Sequence, residues 1–156
     1  MNAPAGDHAP VRLPPPFLLL GHLAAAALLG WTVRLPLPLP PAVRLLGAAA
    51  LLLGLGLGFA AIRAMRTART PVDPYESVAA VVTSGPYRFT RNPIYLGFLA
   101  ALAGLPLAAG TYWGAFLCLP MILLLSFLVV RHEEAYLEGK FGPIYLEYKR
   151  RVRRWL

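Results

Sequence analysis

The chain has 156 residues and a formal net charge of +8, and 58% of its residues are hydrophobic while 14% are charged. Soluble domains carry about 25% charged residues. Three stretches without Asp, Glu, Lys or Arg, at residues 13–33, 45–62 and 92–130, make up half of the chain. This composition excludes cytosolic globular folds, disordered chains and disulfide-rich secreted scaffolds, and it predicts an all-α, polytopic integral membrane helical bundle.

Four membrane spans are predicted, because roughly 20 apolar residues in a helix cross the hydrocarbon core of a bilayer. The first two apolar stretches each hold one span, at residues 17–33 and 42–62. The third stretch holds two, at residues 93–107 and 112–130. A turn rich in Gly and Ala separates the last two spans and indicates a tight helical hairpin.

Basic residues are concentrated in a loop at residues 63–91 and a tail at residues 131–156. Positive segments stay in the cytoplasm, so both termini and this loop are predicted to face it, in an inner or cytoplasmic membrane. The basic belt fits a lipid bilayer as partner, and no nucleic-acid partner is expected. Residues 1–12 are expected to be a disordered tail and residues 13–156 a single domain.

Two motifs look like known sites but lack their context. Residues 54–58, GLGLG, resemble part of a dinucleotide fingerprint but lie inside an apolar helix, where glycines instead let neighbouring helices approach. The His132-Glu133-Glu134 segment lacks the second His, one turn further on, that a zinc-binding H-E-x-x-H motif needs. No metal is therefore expected.

Residues 83–97, TSGPYRFTRNPIYLG, join the cytoplasmic loop to the third span. Pro93 suits the first turn of a helix, so the helix presents free N–H groups and its positive dipole end beside Arg91 and Asn92. This arrangement indicates a site for a carboxylate or another anion. A basic, aromatic membrane anchor contains the same residue types and is the alternative.

Glu133 and Glu134 stand where the fourth span leaves the membrane. If the helix continues, Glu134 lies three residues from Arg131 and pairs with it, a surface contact worth ~0.5 kcal/mol. Only seven acidic residues occur in the chain, so the pair also predicts a site for a cationic ligand.

The tail restarts a helix at Gly142-Pro143. Apolar residues then recur at spacings of three and four, opposite a face of Lys and Arg. This pattern predicts an interfacial amphipathic helix with its aromatic side chains at headgroup depth. The apolar positions are Ile144, Tyr145, Tyr148, Val152 and Trp155.

Several short motifs between residues 82 and 152 occur in an order that resembles the isoprenylcysteine carboxyl methyltransferase family and the related phospholipid N-methyltransferases. They are Gly85-Pro86-Tyr87, Arg91-Asn92-Pro93-x-Tyr95-x-Gly97, a helical hairpin, and Glu133-Glu134-x-x-Leu137-x-x-x-Phe141-Gly142-x-x-Tyr145-x-x-Tyr148. The resemblance implies a membrane enzyme that uses S-adenosyl-L-methionine at the cytoplasmic face, in a site open to lipid. Asn92 stands where the family has His, so a cofactor-positioning role is expected there rather than proton transfer.

The resemblance also implies a set of site residues. The expected catalytic residues are Arg91, which would hold an acceptor carboxylate, and Glu134, which would act as base for an amine acceptor. The acceptor is expected to be a lipid-like or small hydrophobic molecule with a carboxylate, amine or thiol. The expected cofactor-binding residues are Tyr87, Asn92, Pro93, Tyr95, Gly97, Glu133 and Glu134.

Two other functions fit parts of the pattern. Sterol and steroid reductases resemble the same region, and the basic tail would suit the extra phosphate of NADPH, although 156 residues leave little room for a sterol pocket and a dinucleotide. A non-enzymatic membrane scaffold is the other alternative. For the methyltransferase, the loop at residues 67–77 is expected to order over bound cofactor.

Overall fold

The computed structural model describes residues 8–9, 13–33, 35–72 and 76–156. Apart from His8 and Ala9, the tail predicted for residues 1–12 lies outside these ranges. Residues 73–75 of the loop expected to order over cofactor lie outside them as well.

The described part of the chain is helical and contains no strand, as the apolar runs predicted. The six α-helices are α1 (Pro15–Thr32), α2 (Pro41–Thr67), α3 (Pro93–Ala109), α4 (Trp113–Leu124), α5 (Arg131–Phe141) and α6 (Pro143–Arg151). A 3-10 turn, Gly85–Arg88, precedes α3, and a π-helical segment, Leu125–Val130, joins α4 to α5 without a break.

Proline sets the start of four of these helices. Pro15, Pro41, Pro93 and Pro143 each occupy the first helical position. The first N–H groups of a helix have no intrahelical acceptor, so the N–H that proline lacks is not missed there, and its fixed φ already suits the helix. The helix start predicted at Pro93 is confirmed.

By length and apolar composition, three helical stretches are able to cross a membrane: α1, α2 and the continuous stretch Trp113–Phe141. Helix α3 is apolar but has 17 residues, so it extends about 26 Å, somewhat less than the hydrocarbon core of about 30 Å. Two helices extend beyond the spans predicted within them. Helix α2 continues five residues past position 62, and the helix that holds the fourth predicted span continues through residues 131–141.

Helices α2 and α3 approach closely because glycines line their contact. A Cβ atom on Gly54 would lie 2.8 Å from the Gly97 carbonyl oxygen, and one on Gly104 would lie 2.5 Å from the α2 backbone. The interpretation of the glycine run as a helix-packing element is therefore confirmed for Gly54. Gly56 and Gly58 have no neighbour within 4 Å of their Cβ positions, although the Gly58 backbone N would lie 3.4 Å from a Cβ on Gly97.

The hairpin between α3 and α4 turns where the sequence predicted. Helix α3 ends at Ala109, and Gly110 adopts a left-handed conformation with a φ of 99°. Such a φ favours glycine because it has no Cβ. The hairpin brings Leu102 of α3 against Met121 of α4 and Leu125 of the π-helical segment, all three fully buried in the core.

The C-terminal helix forms as predicted, but its surroundings differ from the prediction. Helix α6 ends at Arg151, so Val152 and Trp155 lie beyond it. Tyr145 and Tyr148 are buried against the protein instead of lying among lipid headgroups. The amphipathic pattern was correct, but Tyr148 of the apolar face donates to the 3-10 turn, the segment after α6 bonds to Arg91 just before α3, and Ile144 remains exposed.

Candidate active site

Two of the predicted motifs, the one at residues 91–97 and the one that begins with Glu133-Glu134, meet at one end of the bundle. The Tyr95 hydroxyl on the first turn of α3 donates a hydrogen bond of 2.6 Å to Oε1 of Glu133 on the first turn of α5. Beside it, Nη2 of Arg91 lies 3.2 Å from Oε1 of Glu134. Segments about forty positions apart thus form a single cluster of charged and phenolic groups.

Glu133 and Glu134 face different surroundings because consecutive helical residues point about 100° apart. The Glu133 side chain borders a cavity of about 150 Å³. The Glu134 side chain points toward the guanidinium groups of Arg91 and Arg154. The two carboxylates therefore cannot perform the same task.

The cavity collects most of the predicted site residues. Helix α3 and the residues before it form one wall, Glu133 belongs to another, and an apolar loop that includes Val78 and Val81 closes a third. Gly97 and Glu134 do not line the cavity. Gly97 lies at the contact between α2 and α3. The predicted residues that line the cavity are Tyr87, Arg91, Asn92, Pro93, Tyr95 and Glu133.

Arg91 lines the cavity with unused hydrogen-bond donors. Its side chain is 9% exposed, and its Nη2 group contacts Glu134. Among the described residues, its Nε and Nη1 groups have no hydrogen-bond partner although both are buried. A buried guanidinium N–H without an acceptor is costly, so an anionic group in the cavity would satisfy these donors and stabilise the site.

Glu134 forms the centre of an ion-pair network. It is 5% exposed, and Arg154 donates to it from Nε at 3.0 Å and from Nη2 at 2.6 Å. The predicted pairing with Arg131 is wrong, because the Arg131 guanidinium instead lies 4.2 Å from the centre of the Phe127 ring. The helical spacing permits the local pair, but the tertiary fold supplies two better-placed arginines.

Asn92 uses its side chain to hold the C-terminal segment. Its Nδ2 group donates to the Arg154 carbonyl oxygen at 2.8 Å, and its backbone N–H donates to Oγ1 of Thr90 at 3.2 Å. The residue is buried, and part of it lines the cavity. An amide fits this place because it donates to a carbonyl oxygen at any pH.

Tyrosines complete the cavity wall, and three of them, Tyr136, Tyr145 and Tyr148, were not among the predicted site residues. The Tyr148 hydroxyl donates to the Tyr87 carbonyl oxygen at 2.8 Å. Burial raises the pKa of Tyr148 to about 12, against a smaller lowering effect of Arg91. Burial also raises the pKa of Tyr87 and Tyr145. These phenols therefore remain neutral donors at physiological pH. For Tyr145 and Tyr148 two signals were available: their helical spacing in α6, which indicated a lipid-facing helix, and their place in the motif that begins at Glu133.

The apolar loop is attached to the helices by polar contacts. The Val78 N–H donates to the Tyr136 hydroxyl at 3.3 Å, and Nζ of Lys140 donates to Oγ of Ser77 at 2.6 Å. Thr70, just after α2, exchanges two hydrogen bonds of 3.2 Å with the backbone of Ala80. The loop is therefore a defined wall of the cavity, held mainly by hydrogen bonds.

Comparison with known proteins identifies the family of this chain. A family model described as phospholipid methyltransferase matches residues 42–144, which include Arg91, Asn92 and the Glu133-Glu134 pair. An uncharacterized protein of Haemophilus influenzae is 38% identical over 63 residues, which are 40% of this chain and the whole of that protein. No solved structure matches. Because the family match covers well over half of the chain and the helices are long and apolar enough to span a bilayer, the chain belongs to the phospholipid methyltransferase family and is an integral membrane methyltransferase.

Proposed function

We propose that this enzyme transfers a methyl group from S-adenosyl-L-methionine to a lipid-like acceptor that enters the cavity from the membrane. The observation that carries the proposal is the pairing of opposite charges in one cavity. Arg91 lines the cavity and has two buried N–H groups without a partner among the described residues, and Glu133 lines it with a carboxylate. The amino-acid part of S-adenosyl-L-methionine bears a carboxylate and an ammonium group, which suit these two side chains.

The remaining cavity residues fit the rest of that molecule. Tyr87 and Tyr95 provide aromatic faces, which attract cations such as a sulfonium. Val78 and Val81 of the apolar loop provide a surface for the adenine base. Bound S-adenosyl-L-methionine would supply an electrophilic methyl group on its sulfonium. The protein's own residues would hold this group, align it with the acceptor and exclude water.

The two carboxylates take different roles in this proposal. Glu133 faces the cavity and is held by Tyr95, so it is the carboxylate near the cationic groups. It would also be the base if the acceptor is an amine, because an amine must lose a proton during the transfer. Glu134, which the sequence predicted as that base, is engaged by two arginines. We therefore propose that Glu134 positions Arg91.

The cavity of about 150 Å³ is smaller than the roughly 300–1,000 Å³ that pockets for drug-sized ligands occupy. Its loop wall is held by a few hydrogen bonds. The sequence predicted that the loop at residues 67–77 orders over bound cofactor. We extend this proposal to the adjoining residues 76–82, which form the loop wall and would move to admit the cofactor.

The proposed topology places the cavity at the cytoplasmic face. Most of the basic residues lie in the two segments that flank the cavity, residues 63–91 and 131–156, and such segments remain on the cytoplasmic side. Both termini would then be cytoplasmic. Bonds from the start of α3 and from α5 to Arg154 support treating residues 13–156 as one domain.

The NADPH-dependent alternative depended on free basic residues in the tail. Several of these residues are instead paired with carboxylates: Lys149 with Glu138, Arg151 with Glu147, and Arg154 with Glu134. The family match points to methyl transfer as well. The methyltransferase is therefore the function that the site supports best.

The proposal is tested by titrating S-adenosyl-L-methionine into the protein in lipid nanodiscs by calorimetry. We expect saturable binding that Arg91→Gln weakens strongly. Arg150→Gln removes the same charge from an exposed position of α6 and should bind as the wild type does. Folded protein that gives no heat at millimolar cofactor would reject the proposal.

The same variants separate two roles of Arg91. If Arg91 holds the cofactor carboxylate, Arg91→Gln loses affinity for S-adenosyl-L-methionine without any acceptor present. If it holds an acceptor carboxylate, cofactor binding is retained and only the KM for the acceptor rises. Mass spectrometry of vesicles that contain phosphatidylethanolamine, a fatty acid or a lipid thiol would identify the methylated acceptor class.

A further inference from the structure

The C-terminal segment that follows α6 lies across the start of α3. The Arg153 carbonyl oxygen accepts a hydrogen bond of 3.0 Å from the Arg91 N–H. The Arg154 carbonyl oxygen accepts bonds from Oγ1 of Thr90 at 3.2 Å and from Nδ2 of Asn92 at 2.8 Å. Three consecutive residues before α3 thus fix the backbone at positions 153 and 154. This segment lies beyond residue 144, where the family match ends.

The fixed backbone directs the Arg154 side chain onto Glu134. Nε donates to Oε1 at 3.0 Å, and Nη2 donates to Oε2 at 2.6 Å. This two-point contact uses the planar fork of the guanidinium, which matches a carboxylate in shape as well as charge. It therefore holds the plane of the Glu134 carboxylate in one orientation.

Arg91 reaches the same carboxylate through a single group, Nη2, at 3.2 Å from Oε1. Its Nε and Nη1 groups are buried and have no partner among the described residues. Arginine and carboxylate side chains favour the two-point contact. If Arg154 did not hold Glu134, the carboxylate would rotate onto Arg91 and take up one of these two donors.

We propose that Arg154 is a positioning residue that keeps Arg91 available. By holding Glu134 in its own two-point contact, it prevents Glu134 from occupying the Nε and Nη1 donors of Arg91, which have no partner among the described residues. The inference rests on the proposed function, in which those donors bind the carboxylate of S-adenosyl-L-methionine. Lys149 does not replace Arg154. It lies 3.9 Å from Oε2 of Glu134, and an ammonium group does not fix the plane of a carboxylate.

The test compares S-adenosyl-L-methionine binding among variants in nanodiscs. We expect Arg154→Gln to weaken binding about tenfold to a hundredfold. Arg154→Lys should restore only part of this loss. Arg153→Gln makes the same charge change at the neighbouring exposed residue and should bind as the wild type does. Unfolding temperatures without ligand identify any variant that is not folded.

The double variant Glu134→Gln/Arg154→Gln tests whether Arg154 controls Glu134 or only holds the C-terminal segment in place. Without a charged carboxylate to cover Arg91, it should bind S-adenosyl-L-methionine more tightly than Arg154→Gln does. Binding as weak as that of Arg154→Gln, or weaker, would mean that Arg154 only holds the tail in place, and the proposal would be overturned. Equal binding by Arg154→Gln and Arg153→Gln would overturn it as well.

A crystal structure of ligand-free Arg154→Gln separates this inference from the proposed function. We expect Glu134 to accept two N–H groups from Arg91 in that structure. An unchanged single contact through Nη2 would overturn the positioning role. Failure of the wild-type protein to bind S-adenosyl-L-methionine would reject the proposed function instead. The contacts of Glu134 in the Arg154→Gln crystal structure would still show whether Arg154 controls the position of Glu134.

Discussion

The Tyr95 hydroxyl and the Glu133 carboxylate, 2.6 Å apart, join the start of α3 to the start of α5. The contact links two helices at the cavity and leaves Glu133 oriented toward it. A phenol that donates to a carboxylate holds it in place without neutralising its charge. Tyr95 therefore has a role in orienting Glu133 in addition to its contact surface in the cavity.

Replacing Tyr95 with Phe should lower methyl transfer by about tenfold or more, because a hydrogen bond to a charged group is worth roughly 1.5–3 kcal/mol. The ring and its packing remain, so the protein should stay folded. Initial rates with saturating acceptor, together with unfolding curves, measure both effects.

Tyr112→Phe is the matched control for this prediction. The Tyr112 hydroxyl donates to the Pro38 carbonyl oxygen at 3.1 Å, and neither residue lines the cavity. This variant loses a tyrosine hydroxyl bond to a neutral carbonyl oxygen outside the cavity and should keep wild-type rates. Equal rates for Tyr95→Phe and the wild type would remove Tyr95 from the reaction.

Gly97 provides a second test, because the sequence assigned it to the cofactor and the structure places it in a helix contact. A Cβ at Gly97 would lie 2.7 Å from the Gly54 carbonyl oxygen. Gly97→Ala should therefore destabilise the protein by about 1–3 kcal/mol through overpacking. The dissociation constant for S-adenosyl-L-methionine should change little at temperatures where the variant is folded.

Gly56→Ala serves as the control, since nothing lies within 4 Å of its Cβ position. This variant should be at least as stable as the wild type, because Ala is the better helix former. Thermal unfolding of Gly97→Ala, Gly56→Ala and the wild type in one detergent measures the change in stability. A Gly97→Ala protein with wild-type stability and lost cofactor affinity would support the role that the sequence assigned to Gly97.

The large features of the fold were predictable because they follow from local rules. Uninterrupted apolar stretches gave the helices, Pro93 gave the start of α3, and Gly110 lies in the predicted turn. The meeting of the segments around Arg91 and Glu134 was expected from the order of the motifs and their family resemblance. It could not be derived from helix spacing alone.

The partners of Glu134 were not predictable from the sequence in the same way. A local rule pairs Glu134 with Arg131, but the carboxylate is buried and meets Arg91 and Arg154 from distant segments. The direction of the α6 aromatic face was also ambiguous. The same amphipathic pattern serves a helix that lies on lipid and one that packs on protein.

Because Tyr148 is buried, the folded protein should lose stability at alkaline pH. Its pKa is about 12 in the folded protein and 10.0 ordinarily. Between these values the unfolded state loses the phenolic proton while the folded state keeps it. The stabilisation is therefore complete below pH 10 and is lost as the pH rises toward 12.

Tyr148→Phe should reduce this alkaline loss of stability. Urea unfolding of the detergent-solubilised protein at pH 9 and pH 11 measures it, and the wild type should lose more stability over this interval than the variant does. At pH 9 the variant should be the less stable protein, because it lacks the hydrogen bond to the Tyr87 carbonyl oxygen. An equal pH dependence in both proteins would show that Tyr148 ionises alike in the folded and unfolded states.

The apolar loop at residues 76–82 is expected to respond to cofactor. Its Val78 N–H is bonded to the Tyr136 hydroxyl, and Val78 itself lines the cavity. Ligand packed against this wall should slow hydrogen exchange at Val78 and Ala80. Without ligand, Tyr136→Phe should speed exchange at Val78, because that N–H loses its acceptor.

The Thr111 N–H is an internal reference for the exchange experiment. It is bonded to the Pro106 carbonyl oxygen at 2.9 Å, in a hairpin whose residues do not line the cavity. Its exchange should not change with ligand or with Tyr136→Phe. If cofactor binds but leaves exchange at Val78 unaltered, the loop is a passive wall and the proposal that it orders over bound cofactor is wrong. Equal slowing at Val78 and Thr111 would instead indicate that ligand stabilises the whole protein, with no specific effect on the loop.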